Sequence, residues 1–172
     1  PFRISGTSMK EITVEGLLQE YLYADGKEVT PTSEVNEKAE KVVKLKFSKE
    51  ILEEGKHYSV SYQKNTHKGT ATITFKGIET GGYTGTKKMT FKILAQPVND
   101  ANIELVGVTL GENGVYEVPY MKGGVKPAIT VTTKNGTDLV YGTDYTVTYK
   151  DNDKVDKEAV LTVRGKGNYT GS

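Results

Sequence analysis

The sequence predicts an all-β chain of two tandem antiparallel β-sandwich modules. Three observations lead there: an internal repeat, period-two alternation inside the repeated strands, and a scarcity of helix signals. Residues 55–62 (GKHYSVSY) match residues 142–149 (GTDYTVTY), so Gly, Tyr, Val and Tyr recur at a fixed offset of 87 residues. A fixed offset of this size marks a duplicated unit. Each copy continues through a short polar turn into an alternating strand, residues 70–77 (TATITFKG) or 158–165 (EAVLTVRG). A glycine turn follows in both, at residues 81–86 (GGYTGT) and 167–172 (GNYTGS). Upstream, Val29 and Pro31 correspond to Val125 and Pro127.

Tyr58, Val60 and Tyr62 share one face of their strand and Ser59 and Ser61 the other, while Ala71, Ile73 and Phe75 alternate with Thr72 and Thr74. The second copy repeats this parity with Tyr145, Val147 and Tyr149 and with Ala159, Leu161 and Val163. Strands that bury a single face belong to antiparallel sheets closed over a core, and enrichment in Thr, Val and Tyr suits them. The best helix candidate is residues 48–55 (SKEILEEG), where Ser48 caps and Gly55 ends a single turn. Its counterpart at residues 138–142 is too short for a helix. Between Pro31 and Tyr58 the first copy carries about nine extra residues. They fall around residues 34–49, where acids and bases nearly cancel, and read as a lengthened, solvated hairpin.

Module limits follow from a second, weaker likeness. Phe2, Arg3 and Ile4 resemble Phe91, Lys92 and Ile93, which come directly after the first glycine turn. Either that strand closes one module and the second copy lacks its own, or it opens the next module. The linker composition of residues 95–100 (AQPVND) favours the first, giving modules at residues 1–94 and 95–172. An open edge on the second module would then accept a strand from a neighbour.

Composition narrows function. Lys and Arg number 23 against 22 Asp and Glu, so no field of one sign draws in nucleic acid or an anionic membrane. Without Cys there is neither a disulfide framework nor a thiolate metal site nor a catalytic thiol. No apolar stretch approaches the ~18 residues of a membrane-spanning helix. With Pro1 at its start, the chain reads as a piece of a longer protein.

The motifs at residues 120–127 (YMKGGVKP), 142–149 (GTDYTVTY), 69–74 (GTATIT) and 167–171 (GNYTG) together resemble the tandem Ig-like repeats of secreted and cell-wall proteins of Gram-positive bacteria. The resemblance covers both halves, from about Tyr23 to Ser172. It implies two tandem Ig-like antiparallel β-sandwich modules in an extracellular, cell-surface or cell-wall setting. Such repeats serve as spacers, adhesive modules or accessory domains, and they bring no catalytic residues with them. The first copy departs from the pattern in its insert and in having His57 where the second has Asp144.

Candidate chemistry is thin. His57 and His67 are the only histidines and neither recurs in the second copy, and no hydrolytic triad or zinc spacing is present. The acidic turn at residues 151–158 (DNDKVDKE) offers Asp151, Asp153 and Asp156 as oxygen ligands for calcium, against the plainer reading of a solvated hairpin tip. Tyr83 and Tyr169, flanked by Gly and Thr, are candidates for stacking on a sugar ring, although in a sandwich such a Tyr more often caps the core through its ring and hydrogen-bonds through its hydroxyl. Lys46, Lys126, Asn65 and Asn168 supply the residue types for a Lys–Asn amide crosslink. The expectation is a non-catalytic structural or adhesive module without a cofactor, binding a host or cell-surface protein or glycan or neighbouring repeats. The alternative is a carbohydrate-binding accessory module of a secreted glycan-degrading enzyme.

Overall fold

The computed structural model describes every residue except Pro1, Arg3 and Asp156. The chain is all-β and divides into two compact units, Pro1–Leu94 and Ala95–Ser172. Helical structure among the described residues is confined to three-residue 3₁₀ turns at Met9–Glu11, Pro31–Ser33 and Glu79–Gly81.

The first unit contains β1 (Thr7–Ser8), β2 (Thr13–Glu15), β3 (Glu20–Leu22), β4 (Lys44–Phe47), β5 (Glu50–Ile51), β6 (Tyr58–Gln63), β7 (Gly69–Gly77), β8 (Tyr83–Thr84) and β9 (Thr86–Leu94). One sheet has the order β3-β9-β7-β6 and a second the order β2-β4-β5, and β1 pairs with β8 alone. The pairs β3–β9 and β1–β8 are parallel, and all the others are antiparallel. In register, Val60 lies opposite Phe75 and Ala71 opposite Phe91. The inward positions of β7 (Ala71, Ile73, Phe75) are fully buried, as are Leu45 of β4 and Met9 of the first 3₁₀ turn. Phe91 and Ile93 complete this core from β9, and the Phe91 ring meets Tyr21 and Tyr62 edge-on at 5.2 and 6.4 Å. That edge-to-face geometry sets the electropositive ring edge against the π face and adds to the area buried.

Two local expectations change. Residues 48–55 form no helical turn. β4 and β5 join through a two-residue hairpin turn with Ser48 at φ 55°, and the Leu52 amide donates to the Leu45 carbonyl at 2.8 Å. Burial of Leu45 and Leu52 together is worth more than one turn of capped helix, which is marginal on its own. The insert is also narrower than residues 34–49. Its hairpin spans residues 34–42 through a Val35–Lys41 bridge, with Asn36 Oδ1 accepting from the Lys38 and Glu40 amides, whereas residues 44–47 are core strand β4.

The second unit contains β10 (Gln96–Pro97), β11 (Asn102–Leu105), β12 (Ile129–Thr132), β13 (Tyr145–Lys150), β14 (Val160–Gly165) and β15 (Tyr169–Thr170). Its pairings reproduce those of the first. β10–β15 is parallel like β1–β8, β11–β12 matches β2–β4, and β13–β14 matches β6–β7, with Tyr145 opposite Gly165 as Tyr58 is opposite Gly77. Even the clamps recur. The Val29 amide donates to the Asn65 carbonyl and the Asn65 side chain donates back to the Val29 carbonyl, and Val125 and Asn152 do the same. Two counterparts are missing. Among the described residues nothing takes the place of β9 beside β14, and residues 117–119, ahead of Tyr120 as β3 is ahead of Tyr23, form no strand.

Candidate functional site

Tyr83 and Tyr169 are not surface rings. They are only 6 % and 4 % exposed, because the parallel pairs β1–β8 and β10–β15 draw each glycine turn inward over the core. The glycines at Gly77 and Gly165 permit the approach: a Cβ at Gly77 would lie 2.7 Å from the Thr84 amide nitrogen, and one at Gly165 2.5 Å from that of Thr170. The Tyr83 ring stacks edge-on against Phe47 and His57, and its hydroxyl donates to Glu50 at 3.4 Å. Burial, reinforced by the Glu50 carboxylate, pushes the Tyr83 phenol above its ordinary pKa. Neither tyrosine offers a ring face on which a sugar can stack.

The acidic turn is held by its own lysine. Asp151 sits at φ 56°, matching Lys64 at φ 57° in the first copy, and its carboxylate accepts from Lys154, which holds the acid below its usual range. Asp153 is exposed nearby, and Asp156 lies outside the described residues. Among the described residues no group of three His, Asp or Glu side chains is placed to hold a metal ion.

His57, the residue that distinguishes the first copy, does the work of its replacement. Its Nδ1 accepts from the Glu53 amide at 2.8 Å, and in the second unit Asp144 accepts from the Val140 amide at 2.9 Å. Either side chain satisfies the same turn. Lys46 pairs with Glu15 at 2.7 Å while Asn65 is committed to Val29, so these two crosslink candidates face different partners. An open cleft of about 390 Å³ on the first unit is lined by Lys41, Val43, Lys44, Ile51, Leu52 and Tyr58. Its cations are already engaged, Lys41 with the Thr32 carbonyl and Lys44 with Glu40.

Among the described residues the clearest difference between the units is the unpaired edge of β14. In the first unit β7 carries β6 on one side and β9 on the other, whereas β14 carries β13 alone among the described residues. Burial declines accordingly. Val163 is buried like its equivalent Phe75, Leu161 is half-buried where Ile73 is fully buried, and Ala159 is exposed where Ala71 is fully buried. Tyr120 and Met121, beside the missing counterpart of β3, are also exposed. A strand edge beside a half-covered apolar face is suited to main-chain pairing with another extended segment. The doubtful phase of the repeat hinted at this edge, but the exposure of Tyr120 and Met121 had no signal in local sequence.

The fold defines a class, an all-β protein with sandwich-like layering. The chain gives no match to any protein-family model, to the curated proteins or to the solved structures.

Proposed function

We propose that the chain is a pair of Ig-like modules serving as a non-catalytic spacer or ligand-presenting stalk of a bacterial cell-surface protein. The observation that carries this reading is the duplicated pairing scheme. Two units repeat the same parallel clamp, the same Tyr-to-Gly register and the same Asn-to-backbone clamp. Duplicated small β-units joined in tandem build reach, and the polar residues that recur between them close turns.

The test is chemical: the full chain is expected to turn over no ester, peptide or glycoside substrate. Arrays of extracellular-matrix proteins and glycans then assign any ligand. Turnover of ester, peptide or glycoside substrates would overturn the spacer reading.

A further inference from the structure

We infer that the turn between β6 and β7 of the first unit, residues 64–70, is a binding site for a tetrahedral anionic ester, a sulfate or phosphate carried on a sugar or a polyol. The site belongs to the first unit alone, and it goes beyond the stalk reading without depending on it.

One short segment supplies the walls. An open cavity of about 290 Å³ is lined by Lys64, Thr66, His67, Lys68, Gly69 and Thr70. Two lysines, an imidazole and two hydroxyls thus face one space, and no acid joins them. Ligand pockets run to roughly 300–1,000 Å³, so a cavity at the small end takes one charged group with the few atoms attached to it. Ammonium, imidazole and hydroxyl groups are the donors that a tetrahedral oxyanion needs, and their bonds to a charged acceptor are shorter and stronger than neutral ones.

The donors are available and held in place. The Lys64 ammonium and the His67 ring nitrogens make no hydrogen bond or ion pair among the described residues, whereas in the other cleft of this unit Lys41 and Lys44 are each held by an oxygen. The amides of Thr66 and His67 also donate to nothing among the described residues. Beneath them the turn is fixed: Lys64 sits at φ 57°, and the buried Asn65 is bound to Val29 through both its carbonyl and its side-chain amide. The His67 ring lies beside the buried Tyr23 ring, centroids 6.5 Å apart. Donors fixed in advance lose little freedom when a ligand arrives.

The duplication shows that folding does not require this charge. Asp151 takes the place of Lys64 at almost the same backbone angle, φ 56°, and the turn it opens carries Asp153 and Glu158 as well, with Lys154 tied back to Asp151. Acids close that turn as well as bases close the first. The basic lining of residues 64–70 is therefore free to serve a ligand, and the second unit is a control within the same molecule.

The test follows the amide resonances of the full chain by NMR during titration with a sulfated glucosamine in one arm and glycerol phosphate in the other. Saturable shifts are expected at residues 64–70 and not at residues 151–158, weakening as sodium chloride rises from roughly 0.05 to 0.5 M. Lys64→Asn removes the ammonium with a residue that suits a left-handed backbone, and His67→Phe keeps a ring beside Tyr23 while removing its nitrogens. Each variant is expected to keep the wild-type melting temperature and to bind about tenfold more weakly, the loss of one hydrogen bond to a charged group. Tighter binding in the first arm identifies a sulfated glycan as the source of the ester, and tighter binding in the second a polyol phosphate. Shifts no larger than sodium chloride produces at equal ionic strength, equal shifts in both turns, or undiminished binding by both variants overturns the inference. None of these results bears on the stalk reading, which substrate turnover decides.

Discussion

Asn65 shows how much a single side chain can decide. It is buried in the turn after β6, and both its carbonyl and its amide are committed to the backbone of Val29, tying two segments that are far apart in sequence. Replacing it with Ala leaves the Val29 carbonyl without its donor in a buried setting, a loss of about 1–3 kcal/mol. Asn152→Ala is expected to cost less, because Asn152 is only half-buried and water can take its place. Urea titrations of the two variants check the order. The buried tyrosines make a second residue-scale prediction. Desolvation, with smaller effects from Glu54 and Tyr62, pushes the Tyr58 phenol from 10.0 up to about 12. The unfolded chain therefore releases this proton first. The stability it confers is complete below pH 10 and falls as pH rises from 10 to about 12. Alkaline melts followed by tyrosinate absorbance are expected to show folded-state ionisation delayed until unfolding. Tyr58→Phe removes that part of the pH dependence.

Among the elements, the short parallel pairs are the least conspicuous in sequence and the most consequential. Gly165→Ala forces a methyl group against the Thr170 backbone and opens the β10–β15 pair, at about 1–3 kcal/mol. Amide exchange of Val98, which donates to the Thr170 carbonyl, is expected to quicken in that variant. Strand parity was legible from residues alone: Tyr58, Ile73 and Phe75 and their counterparts Tyr145 and Val163 are buried as their alternation implies. For Tyr83 and Tyr169 the residues left two readings, a sugar-facing ring or, more often in a sandwich, a cap on the core, and the second matches their burial. Their glycine flanks suggest exposure, but their burial depends on pairing with Thr7 and Gln96, and no local pattern encodes a partner that distant. The β4–β5 hairpin was hidden for a related reason, since a serine before a run of acids reads as a helix cap until Leu45 and Leu52 are seen to share a core. The role of His57 was equally obscure, because imidazole and carboxylate look unlike in sequence and accept the same amide in space.

For the whole molecule, the contrast between the units sets the expectation. The first unit has Phe91 and Ile93 in its core and the second has no such pair among the described residues, a difference of about 1.5–3 kcal/mol per side chain. Calorimetry is expected to resolve two transitions, the lower belonging to Ala95–Ser172, with β14 amides exchanging faster than those of β7. The parallel run of β10 and β15 has a mechanical consequence. Tension applied at residues 95 and 172 draws these strands along their length in opposite directions. The Gln96 amide bond to the Asn168 carbonyl and the Val98 amide bond to the Thr170 carbonyl, each 2.9 Å, are then loaded together instead of one after the other. A pair arranged in this way resists by shear and not by peeling. In single-molecule pulling the second unit is expected to yield in one abrupt step at higher force than its thermal stability suggests, and Gly165→Ala is expected to remove that peak.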